Sequence, residues 1–468
     1  MLAFCYNPLI MPNRFKKIML VGGDVLLLYL TLWLTLLIRY QELPKQNNWL
    51  QNLLPFTLLF VVWLLVFYIS GLYDIVTSHN DIGFYNRILA TLLINYGLAT
   101  AYFYLLTDKL FEIKPQTVFF VLAAVYTVLF SFWRYWYNSF LARPTHLRKV
   151  LVIGINDEAK ELINEINQKP QLGYRIAAII HDGYLDKSDF PGIIIYDNAM
   201  DLKNLLREHN IGTVVTALDP RTAPKFVEQL YESLALRLEF HDLPTFYEKL
   251  TGKIPVTSIG HIWFLENLVE SEKGVYEFFK RLFDVIFASL GLLLTLPFFP
   301  VIILLIKLDN RGPAFFKQSR TGYLGGRFTA VKFRSMIMNA EKDGQPQWAT
   351  NNDPRITRIG RFLRKIRLDE LPQLINILKG EMSMAGPRPE RPELVKNLLQ
   401  IIPFYNARHL VKPGLTGWAQ INFQYGASAK DAFKKLQYDL FYVKNRSLAL
   451  DIGIFLKTIK IILSGKGQ

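Results

Sequence analysis

The sequence predicts a membrane α-helical bundle, an α/β Rossmann-like domain and an α+β domain with a re-entrant membrane helix, in this order. Long apolar runs fill the first part of the chain, and strand-like and helical runs alternate in its middle. The last part combines a proline-interrupted apolar run with clusters of basic residues. The predicted boundaries are 1–145 for the bundle, 146–257 for the α/β domain and 276–468 for the last domain, with a linker at 258–275 and the re-entrant helix at about 280–308.

The composition favours a membrane protein. Hydrophobic residues make up 51% of the 468 residues and charged residues only 20%, which argues against a purely soluble chain. The net charge of +15 fits a nucleic acid, an anionic membrane surface or a phosphorylated substrate, and by itself selects none of them. The single cysteine, Cys5, excludes an internal disulfide framework and a thiolate metal cluster. The seven histidines are scattered, with no pair at metal-ligand spacing.

The membrane bundle is predicted from four apolar stretches. Each is close to the roughly 20 residues that a helix needs to cross a bilayer. The stretches are about 18–38, 53–72, 88–106 and 117–137. No small-residue cleavage site follows the first of them, so we expect it to be retained as a membrane helix. Asp24, Asn95 and Arg134 interrupt the stretches; a functional role is open for them, but packing or an interfacial position is favoured.

Basic residues predict the orientation of the bundle. Arg14, Lys16 and Lys17 precede the first stretch, and basic residues from Arg134, near the end of the fourth stretch, to Lys149 mark the other end of the bundle. The outer loops carry balanced charge, contributed by Asp108, Lys109, Glu112 and Lys114. The positive-inside rule therefore places both ends of the bundle in the cytoplasm.

The first turn of the α/β domain resembles a nucleotide-binding loop only in part. Residues 149–154 have the pattern of a buried parallel strand, and 157–166 that of the helix after it. A dinucleotide site needs G-x-G-x-x-G here, but the three positions hold Gly154, Asn156 and Ala159. Because Asn156 has a side chain where a pyrophosphate would approach, we expect a degenerate loop and a role in assembly or regulation.

The apolar run from Leu282 to Leu308 predicts a further membrane helix. Pro297 and Pro300 lie within it and predict a break, because proline removes a backbone donor and clashes with the preceding turn. Basic residues flank both ends of the run. A re-entrant helix leaves both flanks on one face, whereas a full crossing, the alternative, would place the rest of the chain outside the cell.

A basic amphipathic segment follows. Asp353-Pro354 predicts a helix start, and apolar residues then recur at helical spacing up to Ile366. Six cations without an acid favour an anionic interface or phosphate groups over a merely solvated face. They are Arg355, Arg358, Arg361, Arg364, Lys365 and Arg367.

The sequence LDELPQL at 368–374 is the strongest chemical motif. Its apolar spacing predicts a short helix that Gly380 ends, with Asp369 at the N-terminus, where free N–H groups favour an anion. An ionised aspartate beside a bound phosphate is what a carboxylate nucleophile for phosphoryl transfer requires. An N-cap role explains Asp369 about equally well, and the local pattern does not separate the two.

Three other motifs are cationic or rich in glycine: KFRSM at Lys332, GPRP at Gly386 and KPGLTGWAQIN at Lys412. The chain has no P-loop and no kinase signature, so ATP chemistry has no support. Together with LDELPQL, the motifs resemble those of the polyprenyl-phosphate hexose-1-phosphate transferases, the large monotopic phosphoglycosyl transferases of exopolysaccharide, capsule and O-antigen assembly. The resemblance covers nearly the whole chain and implies a monotopic phosphoglycosyl transferase catalytic domain from about Tyr276 onward.

The resemblance implies a two-step mechanism at the acidic pair. Asp369 would attack the β-phosphate of a UDP-sugar and release UMP, and undecaprenyl phosphate would then take the sugar phosphate from Asp369. Glu370 would assist through Mg²⁺ or by proton handling, which makes Asp369 and Glu370 the expected metal ligands. The substrate-binding positions that the resemblance implies are Lys332, Arg334, Arg364, Arg388 and Gln420.

The resemblance also implies a place in the cell and a set of partners. We expect a multi-pass protein of the bacterial inner (cytoplasmic) membrane with its catalytic domain on the cytoplasmic face. The expected partners are the UDP-sugar, undecaprenyl phosphate, the lipid bilayer and a second copy in a homodimer, and no nucleic acid. The sugar is open among glucose, galactose and an acetamido sugar.

One departure and one alternative stay open. Small relatives break the re-entrant helix at Ser-Pro, whereas this chain has Phe299-Pro300, with Pro297 just before it. The alternative function is a membrane-anchored nucleotide-sensing scaffold with an inactive transferase domain. The intact Asp369, Glu370 and Lys332 argue against it.

Overall fold

The computed structural model of the chain forms two compact units, Met1–Leu243 and Pro244–Gln468. The residues that it describes are 13–41, 43, 46–74, 80–110, 116–141, 147–181, 185–196, 202–218, 224–233, 236, 238–268, 273–310, 312–338, 340, 353–423, 426 and 428–463. Cys5 and the predicted outer-loop residues Glu112 and Lys114 lie outside them.

Four long helices open the first unit, as the apolar stretches predict. They are α1 (Asn13–Tyr40), α2 (Gln46–Ile69), α3 (Ile82–Leu110) and α4 (Gln116–Leu141). Among the described residues, stretches long and apolar enough to cross a membrane occur in three of them: Phe15–Tyr40, Trp49–Ile69 and Val118–Phe140. Large aromatic side chains fill the interior that the helices share, where Trp63, Tyr126 and Phe130 are fully buried.

The charged residues inside this bundle bind each other. Arg134 Nη2 lies 2.6 Å from Asp24 Oδ2, and neither side chain is exposed. Trp133 donates to the other Asp24 oxygen at 3.1 Å, and Arg134 Nη1 donates to the carbonyl of Leu72 at 2.8 Å. The pair joins α1 to α4 and satisfies charges that lipid would leave unsolvated. This is the packing role favoured for Asp24 and Arg134.

A five-stranded parallel sheet forms the rest of the first unit. Its strands are β1 (Arg148–Ile153), β2 (Tyr174–Ile180), β3 (Ile194–Tyr196), β4 (Thr213–Thr216) and β5 (Glu239–Asp242), in the order β3-β2-β1-β4-β5. The helices between them are α5 (Asp157–Gln168), α6 (Leu202–Glu208) and α7 (Pro224–Glu232). The central strands are apolar and buried on both faces, as parallel strands are. The predicted α/β region is confirmed.

The turn after β1 is built around Gly154 and Asn156. Gly154 has φ +77°, and a Cβ there would lie 2.9 Å from the side chain of Leu218, so glycine is required. The Asn156 side chain caps α5 by accepting the N–H of Ala159 at 2.8 Å. It takes up an amide group that a phosphate would otherwise bind, which favours the degenerate loop expected here.

The second unit combines helices with two small sheets. Its helices are α8 (Leu243–Thr251), α9 (His261–Asn267), α10 (Gly274–Thr295), α11 (Phe299–Asp309), α12 (Arg358–Lys365), α13 (Leu374–Lys379), α14 (Pro392–Ile401), α15 (Trp418–Asn422), α16 (Ala429–Asn445) and α17 (Leu448–Leu463). Its strands are β6 (Phe315–Thr321), β7 (Arg327–Phe333), β8 (Ser383–Ala385) and β9 (Gly414–Thr416). Strands β6 and β7 pair antiparallel, and β8 and β9 pair parallel.

The second unit begins earlier than the predicted boundary at 257. Ile254 and Val256 are buried in one core with Leu398, and Ile259 joins them. Part of the segment predicted as a linker forms α9. These residues belong to the second unit because their aliphatic side chains are buried in its core.

Helices α10 and α11 form one apolar stretch, Gly274–Asp309, long enough to cross a membrane. A 3₁₀ turn at Leu296–Phe298 separates them. Pro297 lies in the first turn of this 3₁₀ segment, and Pro300 in the first turn of α11. The interruption therefore falls at the two prolines, where a break was predicted.

The basic helix is shorter than predicted. α12 spans only Arg358–Lys365, and the Thr357 side chain caps it by accepting an N–H of its first turn at 3.0 Å. Asp353 binds the guanidinium of Arg355, and Ile356 lies in an isolated β-bridge. The predicted start at Asp353 is wrong because its carboxylate is engaged by this arginine, and the chain makes a turn at Pro354 and Arg355 and enters the bridge at Ile356 before the helix begins.

Candidate active site

The acidic pair lies in a 3₁₀ turn, Leu368–Gln373, between α12 and α13. Arg367 precedes it in the left-handed conformation, with φ 56°, and so turns the chain sharply after α12. Asp369 and Glu370 are each only 7% exposed. The turn has no side-chain cap, so the N-cap interpretation of Asp369 is wrong.

Glu370 is held by three cations from three segments. Lys332 Nζ, at the end of β7, lies 3.0 Å from Glu370 Oε1, and Arg388 Nη2 lies 2.8 Å from the same oxygen. Arg367 Nη1 lies 3.9 Å from Oε2. Burial opposes ionisation of Glu370, but the charges of Arg388, Lys332 and Arg367 outweigh it and hold the pKa of Glu370 well below its ordinary value. Glu370 is therefore ionised at neutral pH and a poor proton donor or acceptor.

Asp369 has the opposite environment. Burial raises the pKa of Asp369, and the adjacent charge of Glu370 raises it further, while Lys332, Arg364 and Arg388 act against both. Within the described part of the chain no hydrogen bond fixes its carboxylate. A buried, unengaged carboxylate among cations has its oxygens available for a phosphorus centre.

The other residues predicted for the site differ in their contacts. Arg364 donates from Nε to the Ser335 hydroxyl at 2.8 Å and acts on the charge of Asp369. Arg334 donates to the carbonyl of Pro313 at 2.7 Å and lies over the ring of Phe316, so its described contacts are not to the acidic pair. Gln420 lies on α15, and both polar atoms of its side chain are buried without a partner in the described structure.

Two residues of this site were not singled out by the sequence patterns. Arg367 was counted only as part of the basic helix, although its place two residues before Asp369 was a usable signal. Gln373 is 3% exposed, and its Nε2 has no partner among the described residues. It is therefore a buried donor in the same turn as Asp369, and no feature of its local sequence separates it from an ordinary helix residue.

The loop that carries Arg388 packs tightly on the KPGLTGW loop. A Cβ on Gly414 would lie 2.1 Å from Gly386 N, and one on Gly417 would lie 2.1 Å from Gly386 O. The two backbones approach too closely for any side chain, which accounts for the glycines of both motifs. On the other side, Arg408 Nη2 donates to the carbonyl of Arg388 at 2.9 Å.

Of the two carboxylates in the acidic turn, only Asp369 fits as a ligand of Mg²⁺. Asp369 offers a carboxylate that no described side chain engages, and Mg²⁺ is commonly bound by one or two carboxylates together with substrate phosphates. Glu370 does not fit as a ligand here, because two cations already share its Oε1 and a third faces Oε2. The described residues contain no cluster of three or more His, Cys, Asp or Glu side chains suited to a metal ion.

Comparison with known proteins gives the family. The UDP-glucose:undecaprenyl-phosphate glucose-1-phosphate transferase of Klebsiella pneumoniae is 30% identical over 449 residues, which are 93% of each chain. Residues 275–465 match the bacterial sugar transferase family. The chain belongs to this family of enzymes. The predicted resemblance is confirmed.

Other matches cover less of each protein. The enzyme of the same name from Escherichia coli K12 is 35% identical over 326 residues, 67% of each chain. The UDP-N-acetylgalactosamine-undecaprenyl-phosphate N-acetylgalactosaminephosphotransferase of Aeromonas hydrophila is 41% identical over 242 residues, and the match covers only 56% of that protein. Residues 57–235 match a family described as a CoA-binding domain.

Proposed function

We propose that this chain transfers a hexose 1-phosphate from a UDP-sugar to undecaprenyl phosphate, giving undecaprenyl-diphosphate-sugar and UMP. The names of the relatives support the lipid acceptor and a UDP-linked donor. The observation that carries the chemistry is the contrast within the acidic pair: three cations hold Glu370, while Asp369 is buried and unengaged. This step would begin the synthesis of a surface polysaccharide.

In the first step an Asp369 oxygen attacks the β-phosphorus of the UDP-sugar. The bond from this phosphorus to the bridging oxygen breaks, and UMP leaves with the electron pair. The sugar phosphate is then an acyl phosphate on Asp369. Lys332 and Arg388 lie beside the carboxylates and would stabilise the charge of the diphosphate, with the arginine fork suited to two phosphate oxygens.

In the second step an oxygen of undecaprenyl phosphate attacks the same phosphorus. The bond to Asp369 breaks, the aspartate leaves as a carboxylate, and a diphosphate forms between lipid and sugar. Glu370 keeps the cations in place through both steps rather than moving a proton. Mg²⁺, held by Asp369 and the substrate phosphates, would supply further neutralisation of the diphosphate charge.

We also propose that α10 and α11 enter the bilayer and return on the cytoplasmic face of the inner membrane. Both helices are anchored in the second unit, α10 through Ala288 and α11 through Ile302 and Ile306. Between these anchors, large apolar side chains are exposed, Leu293, Leu294, Leu296, Phe298 and Val301 among them.

We further propose that the α/β part of the first unit is a Rossmann-like domain, which its strand order β3-β2-β1-β4-β5 supports.

The covalent intermediate is tested with the half-reaction. Wild-type enzyme given UDP-glucose or UDP-N-acetylgalactosamine and Mg²⁺, without lipid, should release about one UMP per active site at most, because the intermediate cannot turn over. Mass spectrometry should place the phosphosugar on the peptide that contains Asp369. Asp369→Asn should lower transfer by several orders of magnitude and give no adduct.

Lys379→Met is the matched control, since this lysine ends α13, outside the acidic turn, and its loss should leave the adduct intact. UMP that appears only when undecaprenyl phosphate is present, with no adduct at any time, would exclude the covalent route and favour direct displacement.

A further inference from the structure

One turn of α10 contacts both segments that carry the active site. Lys280, Arg281 and Asp284 lie in the first half of this helix, and Lys280 and Asp284 are buried. Their contacts reach β8, which leads into the Arg388 loop, and α13, which follows the acidic turn. The mechanism proposed above uses none of the three residues.

Lys280 is tied to the carbonyl end of β8. It is 6% exposed, and its Nζ donates to the carbonyl of Ala385 at 3.1 Å. Nζ also lies 3.0 Å from Asp451 Oδ2 and 3.0 Å from the Tyr442 hydroxyl. All three ammonium donors are used, as a buried cation requires. Ala385 is followed directly by Gly386, the first residue of the loop that presents Arg388.

Asp284 binds the same strand one turn further along α10. Its Oδ1 accepts the N–H of Met384 at 2.9 Å and the hydroxyl of Ser383 at 3.0 Å. Together with Lys280, it fixes a carbonyl and an amide of neighbouring β8 residues. Hydrogen bonds to two neighbouring residues fix both the position of β8 along α10 and its orientation. These contacts therefore determine where the Arg388 loop starts.

Arg281 binds the other segment. Its Nη1 and Nη2 donate to the carbonyls of Ile377 and Leu378, each at 2.7 Å. Both carbonyls lie in the last turn of α13, where carbonyls lack the i+4 partner of a helix interior, and the carbonyl of Ile377 also accepts the N–H of Gly380 at 2.9 Å. Because α13 continues directly from the turn of Asp369 and Glu370, this fork fixes the far end of the segment that carries the carboxylates.

We propose that Lys280, Arg281 and Asp284 are positioning residues that set the spacing between Arg388 and the acidic pair. The proposal rests on the proposed function for its kinetic consequence, and on the contacts above for its structural one. Apolar packing of α10 on Leu374 of α13 and Met384 of β8 holds these elements together. It does not fix the position of α13 or β8 along α10, as directional hydrogen bonds do. A helix that enters the bilayer thereby determines the geometry of a site outside it.

The kinetic test compares replacement of Lys280 with replacement of Lys273, a second lysine near the start of α10. Lys280→Met should lower kcat by about 10²-fold, as a misplacement of roughly 1 Å does, and leave the KM for the UDP-sugar within about threefold. Lys273→Met is the control, because Lys273 Nζ donates to the carbonyls of Val443 and Lys444 on α16. Its kcat should stay at the wild-type value per folded molecule.

The aspartate allows a rescue. Asn at position 284 keeps an oxygen that accepts from Met384 and Ser383, whereas Leu does not. Asp284→Asn should therefore retain most of kcat and Asp284→Leu should lose it. Where Asp284→Leu does not accumulate as folded protein, Arg281→Met, at a partly exposed position, takes its place.

Hydrogen–deuterium exchange separates this proposal from the proposed function. In Lys280→Met, exchange should rise in peptides covering 383–391, and in Arg281→Met in those covering 368–380, while Lys273→Met leaves both unchanged. This outcome supports the positioning role even if the wild-type enzyme transfers no sugar phosphate. Unchanged exchange in both peptides, or equal kcat losses for Lys273→Met and Lys280→Met, would overturn it.

Discussion

Neighbouring carboxylates with different partners have different chemistry, and Asp369 and Glu370 are a direct case. Both are 7% exposed, so burial alone does not distinguish them. The cations bind Glu370, which lowers its pKa, and the resulting negative charge raises the pKa of Asp369. Glu370 thus serves as a fixed counter-charge that orders Lys332 and Arg388 beside its neighbour.

This arrangement predicts a pH effect of Glu370→Gln. The attack requires ionised Asp369, so kcat/KM of the wild type falls as the pH falls through the pKa of Asp369. Glutamine keeps an oxygen acceptor but removes the charge that raises this pKa. The acidic limb of the kcat/KM profile should therefore move to lower pH, while the plateau drops because Lys332 and Arg388 are less well ordered.

The control for this prediction is Glu393→Gln, at an exposed position of α14, which should leave the limb in place. Steady-state rates of UMP release between pH 5 and pH 9 measure both variants. An acidic limb that moves to higher pH, or stays where it is, contradicts the electrostatic coupling of the two carboxylates.

At the residue scale, the motifs predicted which segments come together better than they predicted individual hydrogen bonds. The resemblance carried by LDELPQL and KFRSM implied one site for the acidic pair and Lys332, and Lys332 Nζ lies 3.0 Å from Glu370 Oε1. The partner of Arg334 was not predictable, since β7 ends at Phe333 and a single residue beyond a strand end decides where the side chain lies. The bond from Arg408 to Arg388 joins distant segments and has no local signal.

At the element scale, the hydrophobic pattern predicted the long helices and missed β8 and β9. Four apolar stretches and the proline break are properties of the local sequence, so α1 to α4 and the interruption of α10–α11 were predictable. Strands β8 and β9 have three residues each, too few to show a period, and they form because tertiary contacts pair them. The hydrogen bonds from Ser383 and Met384 of β8 to Asp284 were not predictable either, because the strand that makes them has no local signal.

The path of α10 and α11 is tested by labelling in spheroplasts. In a Cys5→Ser background, Leu43→Cys lies in an exposed position between α1 and α2, and Lys317→Cys in an exposed position of β6. A membrane-impermeant maleimide should label position 43 in intact spheroplasts and position 317 only after the membrane is permeabilised. The Cys5→Ser protein alone measures the background.

Labelling of both positions in intact spheroplasts would mean that α10–α11 crosses the membrane fully. The second unit would then lie outside the cell, away from cytoplasmic UDP-sugars, and the re-entrant proposal would be wrong.

At the scale of the whole molecule, contacts divide the chain differently from composition. The sequence suggests three parts because hydropathy and periodicity change near 145 and 257, whereas compactness gives two units that meet at Leu243 and Pro244. A change in composition marks where a new kind of element begins. It does not tell to which core a short amphipathic segment such as α8 or α9 belongs, because that depends on partners far along the chain.

The position of this boundary predicts how fragments of the second unit behave. A fragment of 244–468 keeps Ile254 and Val256, which are at most 1% exposed, whereas a fragment of 276–468 loses them and uncovers Leu398 and Tyr405 of the same core. Each large side chain of this kind contributes about 1.5–3 kcal/mol when fully buried. The longer fragment should therefore unfold at a clearly higher temperature than the shorter one in the same detergent, and it should resist trypsin longer. Circular dichroism measures the unfolding temperature of both fragments. Equal unfolding temperatures would show that residues 244–275 add nothing to this core and that the boundary lies where the composition placed it.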